Sequence, residues 1–204
     1  MQVSLLLSSN PSTGQSPKYN VKILLLGDGG VGKTAIRRRF MGQGFKSTYM
    51  ETIGSDFSTK SITIDHNLES IVINFQIWDL AGQPKFQNIR QLFYTGSQGL
   101  IFVFDLTRLD SLENLKLWVD EVLKNGISKV PVLLIGNKID LQEEGFTISN
   151  LEDDKKIAEF IEQKLNEGKY SVQNIRTSAK TGFNIDKAFD ILGKDIYISL
   201  EEEN

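Results

Sequence analysis

The sequence predicts an α/β fold in which a six-stranded, mostly parallel sheet with one antiparallel strand carries helices on both faces. Short apolar runs alternate with amphipathic helical patterns from about residue 18 onward, which is typical of such folds. Several of the apolar runs are uninterrupted, as expected of strands in a sheet that is covered on both faces. At 204 residues, the chain is long enough to bury a sizeable core in one domain.

Hydrophobic patterning locates the strands. Three stretches are mainly apolar and predict buried strands: residues 21–26, 100–104 and 130–135. Residues 175–178 predict a short last strand. In residues 62–64 and 71–77, apolar side chains alternate with polar ones, and His66 and Asn67 form a turn between the two stretches. These stretches should pair as a hairpin, which supplies the antiparallel strand.

Helical periodicity fills the gaps between the strands. Asp110 followed by Glu113 predicts a capping box at a helix start, and Ser149 followed by Glu152 predicts a second one. Apolar residues at helical spacing follow each box, and another apolar stripe over residues 185–196 predicts the final helix. The predicted order is therefore β-α-β-β-α-β-α-β-α-β-α.

Composition argues against several classes of function. The formal net charge is −3 and the pI is about 5.3, so broad electrostatic binding to nucleic acid is not expected. The sequence has no cysteine, which excludes disulfides, Cys-ligated zinc and lipid attachment to a thiol. We therefore expect the protein to occupy a reducing, cytoplasmic compartment and to have no stable lipid anchor. We also expect it to be a monomer and to meet membranes only transiently, through partners.

A glycine-rich segment after the first strand carries the most specific motif. Residues 27–34 match G-x-x-x-x-G-K-[ST], and they lie between a predicted strand and a predicted helix. The glycines let successive N–H groups turn towards anionic oxygens, and the helix N-terminus adds partial positive charge. Lys33 should reach the β- and γ-phosphates, and the Thr34 hydroxyl should ligate Mg²⁺. The motif predicts a P-loop NTPase fold, but it does not specify the base.

Two short motifs beyond later strands predict the base. Asn137-Lys138-Ile139-Asp140 follows the strand at residues 130–135, and Thr177-Ser178-Ala179-Lys180 follows the last strand. Ligands of such sheets bind beyond the carboxyl ends of the strands. The Asp140 carboxylate can accept both the N1–H and the exocyclic amine of guanine, and the Ala179 N–H can donate to guanine O6. Adenine offers no such pair of donors, so the motifs favour GTP and GDP.

The segment Asp79-Leu80-Ala81-Gly82-Gln83 should supply residues that lie near the terminal phosphate. Asp79 ends a strand and should hold Mg²⁺ through water. Gly82 can offer its N–H to the γ-phosphate, and Gln83 can orient the attacking water. Thr52 lies in an irregular stretch, where its hydroxyl should become a second Mg²⁺ ligand when the γ-phosphate is present.

These motifs resemble the Ras superfamily of small GTPases, and most closely its Rab-like branch. The five motifs occur in family order as GDGGVGKT, Thr52 within YMETIG, DLAGQ, NKID and TSAK. The stretches TIGSDF, IWDLAGQPKF and LFYTGSQGLIFVFDLT are especially Rab-like. The resemblance covers about residues 19–200. It implies a small GTPase domain there, with a flexible arm over residues 1–18 and an acidic tail over residues 201–204.

The resemblance also implies individual roles. Phe45 should pack edge-on against the guanine, and Lys138 and Lys180 should flank it. The catalytic set comprises Lys33, Thr52, Gly82 and Gln83, and the Mg²⁺ ligands are Thr34, Thr52 and Asp79. The predicted nucleotide contacts are Asp28, Gly29, Gly30, Val31, Gly32, Lys33, Thr34, Ala35, Phe45, Tyr49, Thr52, Gly82, Asn137, Lys138, Asp140, Ser178, Ala179 and Lys180.

Partners implied by the resemblance are effector, activating and exchange proteins. Phe57, Trp78 and Phe93 match an aromatic effector surface, but simple packing of the hairpin against the segment after Gln83 fits them equally well. Pro84 and Lys85 stand where Rab proteins usually have Glu and Arg, which predicts a stiffer segment with different partners.

Slow hydrolysis is expected because no arginine is predicted to lie near Thr52. By analogy with Ras, the intrinsic rate should be on the order of 10⁻⁴ to 10⁻³ s⁻¹, and an activating protein should supply the missing arginine. Arg37, Arg38 and Arg39 are consecutive helical residues and predict a solvated face.

Two alternatives from other classes stay open at this point. A nucleotide-binding interaction module would not hydrolyse GTP, but Gln83 and the two Mg²⁺ hydroxyls argue against it. A nucleotide kinase would need an Arg-rich lid, and no such segment is apparent.

Overall fold

The sheet has six strands in a computed structural model that describes residues 18–45, 51–146 and 148–202. The strands are β1 (Lys18–Leu26), β2 (Ser55–His66), β3 (Glu69–Leu80), β4 (Gly99–Asp105), β5 (Val132–Asn137) and β6 (Gln173–Thr177). Their order across the sheet is β2-β3-β1-β4-β5-β6. Only β2 runs antiparallel to its neighbour, which confirms the predicted fold class.

Helices connect the strands. They are α1 (Lys33–Phe40), α2 (Gln87–Tyr94), α3 (Leu109–Glu113), α4 (Leu115–Lys124), α5 (Asp140–Glu143), α6 (Leu151–Ile161) and α7 (Ile185–Glu202). A 3₁₀ turn (Pro84–Phe86) precedes α2, and a π-helical turn (Glu162–Asn166) follows α6. Proline suits the first position of such a turn because its missing N–H would have no partner there.

Each face of the sheet has its own apolar core. On one face, α1 and α7 pack over the strands, and the rings of Phe40 and Phe189 stack with centroids 3.6 Å apart. On the other face, α4 and α6 pack around Trp118 and Ile161. All seven residues of β4 are buried, because this strand lies in the middle of the sheet with both faces covered.

The β2–β3 hairpin is longer than the sequence pattern indicated. β2 has twelve residues and pairs with β3 from Ser55 to His66. The turn consists of Asn67 and Leu68, which have φ angles of 48° and 69°, and His66 belongs to the strand. The predicted turn is therefore shifted by one residue, because a two-residue hairpin turn needs two left-handed positions.

A membrane-spanning helix is not part of the described fold. Within residues 18–45, 51–146 and 148–202, no helix is long and apolar enough to cross a bilayer.

Candidate functional site

A cavity of about 490 Å³ opens where the parallel strands end. Most of the predicted site residues line it, namely Gly29, Gly30, Gly32, Lys33, Thr34, Ala35, Phe45, Thr52, Gly82, Gln83, Asn137, Lys138, Asp140, Ala179 and Lys180. Arg38, Gly44 and Leu141 also line the cavity and were not among the predicted contacts. Loops after four different strands thus meet at one site, as the topology of an open α/β sheet requires.

Four other predicted residues do not line the cavity. Val31, Ser178 and Asp79 are buried and do not reach the cavity lining. The Asp28 side chain points away from the cavity and accepts hydrogen bonds from Asn114 and Trp118 of the α3–α4 region at 2.8 and 2.9 Å. Tyr49 lies outside the described residues.

Two glycines allow the close approach of loops around the cavity. Gly32 has a φ of 108°, and a Cβ there would lie 2.2 Å from Asn137 Nδ2. A Cβ at Gly82 would lie 2.4 Å from the backbone carbon of Asp28. Any side chain at either position would force backbone or buried polar groups apart, so glycine is required by contact at both positions and also by conformation at Gly32.

Lys33 is the buried cation of the site. Its side chain is only 6% exposed, and its ammonium donates to the carbonyls of Gly27 at 2.5 Å and Asp28 at 2.9 Å. Burial lowers the pKa of Lys33 to about 8, because the charged form loses hydration. An anion in the cavity would restore the balance of charge at this ammonium.

Oxygen donors suitable for Mg²⁺ collect beside Lys33. The hydroxyl oxygens of Thr34 and Thr52 are 3.0 Å apart. Both carboxylate oxygens of Asp79 are buried, and neither accepts a hydrogen bond of normal geometry within the described part of the chain. Burial raises the pKa of Asp79, while the nearby Lys33 opposes that shift. Mg²⁺ prefers few carboxylates together with water and phosphate oxygens, so this donor set suits it.

Asn137, at the end of β5, forms hydrogen bonds to the phosphate loop and to the segment at the end of β6. Its Nδ2 donates to the carbonyl of Val31 at 2.9 Å, and its Oδ1 accepts from Thr177 Oγ1 at 3.2 Å and Ala179 N at 3.1 Å. The Ala179 N–H, which the sequence assigned to guanine O6, thus donates to Asn137 here. The amide of Asn137 is therefore occupied by protein groups on both sides.

Charged side chains surround the place predicted for the base. The Asp140 side chain is 11% exposed and lies 3.9 Å from the ammonium of Lys180, which also pairs with Glu144 at 2.7 Å. Lys138 donates to Asp105 Oδ2 at 2.6 Å, so this predicted flanking residue is anchored at the end of β4. Phe45 is 45% exposed at the mouth of the cavity.

Gln83 lies against the phosphate loop, which makes Gly29 a sensitive position. A Cβ added to Gly29 would lie 3.4 Å from Gln83 Nε2. We therefore expect Gly29→Val to displace Gln83 and to slow single-turnover GTP hydrolysis about tenfold, while Gly29→Ala slows it less. Equal rates for both variants and the wild-type protein would show that Gln83 tolerates the extra methyl groups.

Arg90 of α2 fixes the backbone on both sides of Gly82 and was not predicted. It is 3% exposed and donates to the carbonyls of Ala81 and Gln83, both at 2.9 Å. Its other nitrogens donate to the buried carboxylate of Glu121 at 2.8 and 2.7 Å, and Tyr94 donates to the same carboxylate at 2.8 Å. The sequence signal that could have predicted this contact is Glu121, an acidic residue within the apolar face of α4.

Removing the carboxylate of Glu121 should destabilise the fold strongly. Glu121→Ala leaves the Arg90 charge buried without its partner, and we expect a loss of about 3–5 kcal/mol in the free energy of unfolding. Glu159→Ala is the matched control, because Glu159 pairs with Lys155 on the exposed surface, and we expect it to cost about 0–1 kcal/mol. Denaturant unfolding of both variants measures the difference, and similar losses would contradict a special role for Glu121.

The three consecutive arginines of α1 do not form a solvated face. Arg37 is 6% exposed and donates to Asp56 and Ser58 of β2. Arg39 donates to the carbonyls of Ala179 and Lys180. The expectation was wrong because α1 lies between the hairpin and the loop after β6, so successive side chains meet different neighbours. The expectation that no arginine lies near Thr52 stays a prediction, although Arg38 lines the same cavity as Thr52.

The aromatic side chains of Phe57 and Trp78 in the hairpin and Phe93 in α2 form a row of tilted rings. The ring centroids of Phe57 and Trp78 are 4.9 Å apart, and those of Trp78 and Phe93 are 5.2 Å apart. Phe57 is 47% exposed, and Ile53 and Leu92 are 80% and 77% exposed. The aromatic row therefore packs internally, and Phe57 also presents an exposed surface.

Comparisons with known proteins match this geometry to one family. The model of the Ras family matches residues 22–198. The Ras-related protein Rab-1D of Dictyostelium discoideum is 39% identical over 86% of this chain and 78% of its own length. Rab-13 of Mesocricetus auratus is 36% identical over 87% of this chain and 80% of its own. The Ypt/Rab-type GTPase YPT7 of Saccharomyces cerevisiae is 36% identical over 88% and 83%.

Proposed function

Because the chain belongs to the Ras family, within its Rab-like branch, and is therefore a GTP-hydrolysing enzyme, we propose that it is a guanine-nucleotide switch. In this proposal, residues 43–54 form switch I and residues 81–94 form switch II. Both segments contact the γ-phosphate of GTP and lose that contact when GTP becomes GDP. We assign the GTPase domain to residues 19–200, with residues 1–18 and 201–204 as its extensions.

The observation that carries this proposal is that both switches contact the phosphate loop, residues 27–34. Switch I brings the Thr52 hydroxyl to within 3.0 Å of the Thr34 hydroxyl. Switch II brings Gly82 against the backbone of Asp28 and Gly29. A γ-phosphate bound by Lys33 would lie between these two segments. Loss of the γ-phosphate on hydrolysis would remove the ligand that both segments contact.

Hydrolysis by this site depends on positioning and on charge. The Lys33 ammonium and the amides of the phosphate loop would hold the β- and γ-phosphates and stabilise the negative charge that develops on them. Mg²⁺, when bound by Thr34, Thr52 and, through water, Asp79, would neutralise part of that charge. Gln83 would hold the attacking water in line with the γ-phosphate, because Arg90 fixes the backbone carbonyl of Gln83.

Base selection would depend on Asp140. Its carboxylate faces the cavity, and it suits the two adjacent donors of guanine. Phe45 would pack edge-on against the base, and Lys138 and Lys180 would flank it, with Asn137 holding the loops together. A ligand without the two donors would leave the Asp140 carboxylate unpaired, which opposes its binding.

Partner recognition would use the aromatic row Phe57, Trp78 and Phe93, in which Phe57 is exposed, with the neighbouring switch residues. Aromatic anchors beside a segment that changes with the nucleotide would let effector proteins distinguish GTP from GDP. We place the protein in the cytoplasm as a monomer that meets activating and exchange proteins there. By analogy with its relatives, its effectors would act in trafficking, polarity or signalling.

Hydrogen exchange tests the switch directly. We expect the amides of residues 51–57 and 82–94 to exchange more slowly with a non-hydrolysable GTP analogue and Mg²⁺ than with GDP and Mg²⁺. The amides of β4 should exchange alike in both states, which provides an internal control. Equal exchange of the switch amides in the two states would contradict the proposal, even if phosphate release from GTP is observed.

A further inference from the structure

Arg38 is a cation of the cavity that no part of the proposed function uses. It lies in α1 one helical turn after Thr34, and it lines the cavity together with Thr34, Phe45 and Thr52. Long side chains in helices point back over the preceding turn. That direction leads from the Arg38 backbone towards the start of α1, where Thr34 and Ala35 also face the cavity.

The neighbouring arginines show what distinguishes Arg38. Arg37 pairs with Asp56, and Arg39 donates to two carbonyls of the loop after β6. Arg38, by contrast, forms no ion pair with the described acidic residues. Its Nε is buried without a hydrogen-bond partner; the Nε of Arg37 also lacks one, but it lies 3.8 Å from the Asp79 carboxylate. A guanidinium stays charged in proteins and has five N–H donors, so a buried donor without an acceptor costs free energy.

We propose that Arg38 binds the α-phosphate of the nucleotide, an inference that rests on the proposed function. Arg38, Phe45 and Thr34 all line the cavity. Phe45 is expected to contact the base, and Thr34 is expected to bind the Mg²⁺ beside the outer phosphates. The phosphate between these two ends of a nucleotide is the α-phosphate. A guanidinium matches phosphate oxygens with two parallel N–H donors, which makes phosphate its preferred anionic partner.

Such a contact has a definite consequence for the switch. GDP and GTP share the α-phosphate, so Arg38 would tighten both nucleotides by the same factor. It would slow nucleotide release without favouring either state. Lys33 would hold the outer phosphates and Arg38 the inner one, so the two cations would act on different parts of the ligand.

The experiment compares ligands that differ only in phosphate. Affinities of nucleotide-free protein for guanosine, GMP and GDP are measured by competition against a fluorescent GMP derivative. For Arg38→Leu we expect the GMP and GDP affinities to fall about tenfold or more, and the guanosine affinity to change less than about twofold. Arg38→Lys keeps the charge but not the paired donors, so its loss should be intermediate.

Arg39→Leu is the matched control, because it removes the same charge from the same helix. Arg39 supports the loop that carries Ala179 and Lys180, so we expect a similar loss for all three ligands. Thermal unfolding of the nucleotide-free variants verifies folding, and Arg38→Gln takes the place of Arg38→Leu if the leucine variant does not fold.

The possible outcomes are distinct. If Arg38→Leu weakens guanosine as much as GMP, or leaves GMP and GDP affinities unchanged, the α-phosphate contact is refuted. A loss that also appears with guanosine but not with 2′-deoxyguanosine would assign Arg38 to the ribose instead and would likewise refute it. If the wild-type protein binds none of the guanine ligands, the proposed function itself fails.

Discussion

Asp140→Asn should reverse the base preference of this GTPase. In the proposed function, the change replaces a carboxylate that would accept from two guanine donors with an amide that would present an N–H to one of them. Two charge-assisted hydrogen bonds are lost, each contributing about 1.5–3 kcal/mol, so the GTP affinity should fall by roughly two to four orders of magnitude. Xanthine carries a carbonyl where guanine has its exocyclic amine, so the amide should accept xanthine nucleotides.

Competition binding with GTP and xanthosine triphosphate measures this exchange. Glu143→Gln is the control, because it makes the same carboxylate-to-amide change on an exposed side chain of the same short helix, α5. We expect this control to leave both affinities within about threefold of the wild-type values. If Asp140→Asn retains full preference for GTP over xanthosine triphosphate, base recognition does not depend on Asp140.

Gln83→Leu should separate nucleotide binding from hydrolysis. Leucine has a similar volume but offers no donor or acceptor, so it cannot orient a water molecule beside the γ-phosphate. We expect the single-turnover rate of GTP hydrolysis to fall about tenfold or more, because positioning is the main source of catalysis in such sites. The affinities for GTP and GDP should change less than about threefold, since the ammonium of Lys33 and the loop amides are unaffected.

A second glutamine provides the control for this measurement. Gln87 begins α2 and is exposed, so Gln87→Leu changes the same chemical group without altering the cavity. Phosphate release after mixing nucleotide-loaded protein with Mg²⁺ gives the rate for each variant. An unchanged rate for Gln83→Leu would remove Gln83 from the mechanism, and equal losses for both variants would point to a general effect on α2.

The elements that could be predicted from the sequence are those specified by local patterns. Uninterrupted apolar runs predicted β4 and β5 because both faces of the sheet are covered. Residues 27–34 predicted a phosphate loop, and the cavity contains Lys33 and Thr34 as expected. These predictions succeed because the residues act through backbone conformation and burial, which depend on near neighbours in the sequence.

Long polar side chains were harder to predict, because their partners lie far away in the sequence. Arg90 and Glu121 are 31 residues apart and meet only after α2 packs on α4. The Asp28 side chain accepts from residues 86 and 90 positions further on, and therefore does not face the nucleotide cavity. The same limit explains Arg37 and Arg39, whose surroundings are set by tertiary packing rather than by helical periodicity.

The buried ionic groups described for the cavity also make the nucleotide a structural component of this protein. Lys33 and Asp79 are both withdrawn from water, and although Arg37 Nε lies 3.8 Å from the Asp79 carboxylate, neither Asp79 oxygen accepts a hydrogen bond within the described residues. A bound nucleotide would therefore add partners to these buried groups. A ligand that binds only the native state adds stability as its free concentration exceeds its dissociation constant, by about 4 kcal/mol at a thousandfold excess. The midpoint of thermal denaturation should therefore follow the cellular supply of guanine nucleotide, and depletion of that supply would shorten the lifetime of the protein as well as silence its signal.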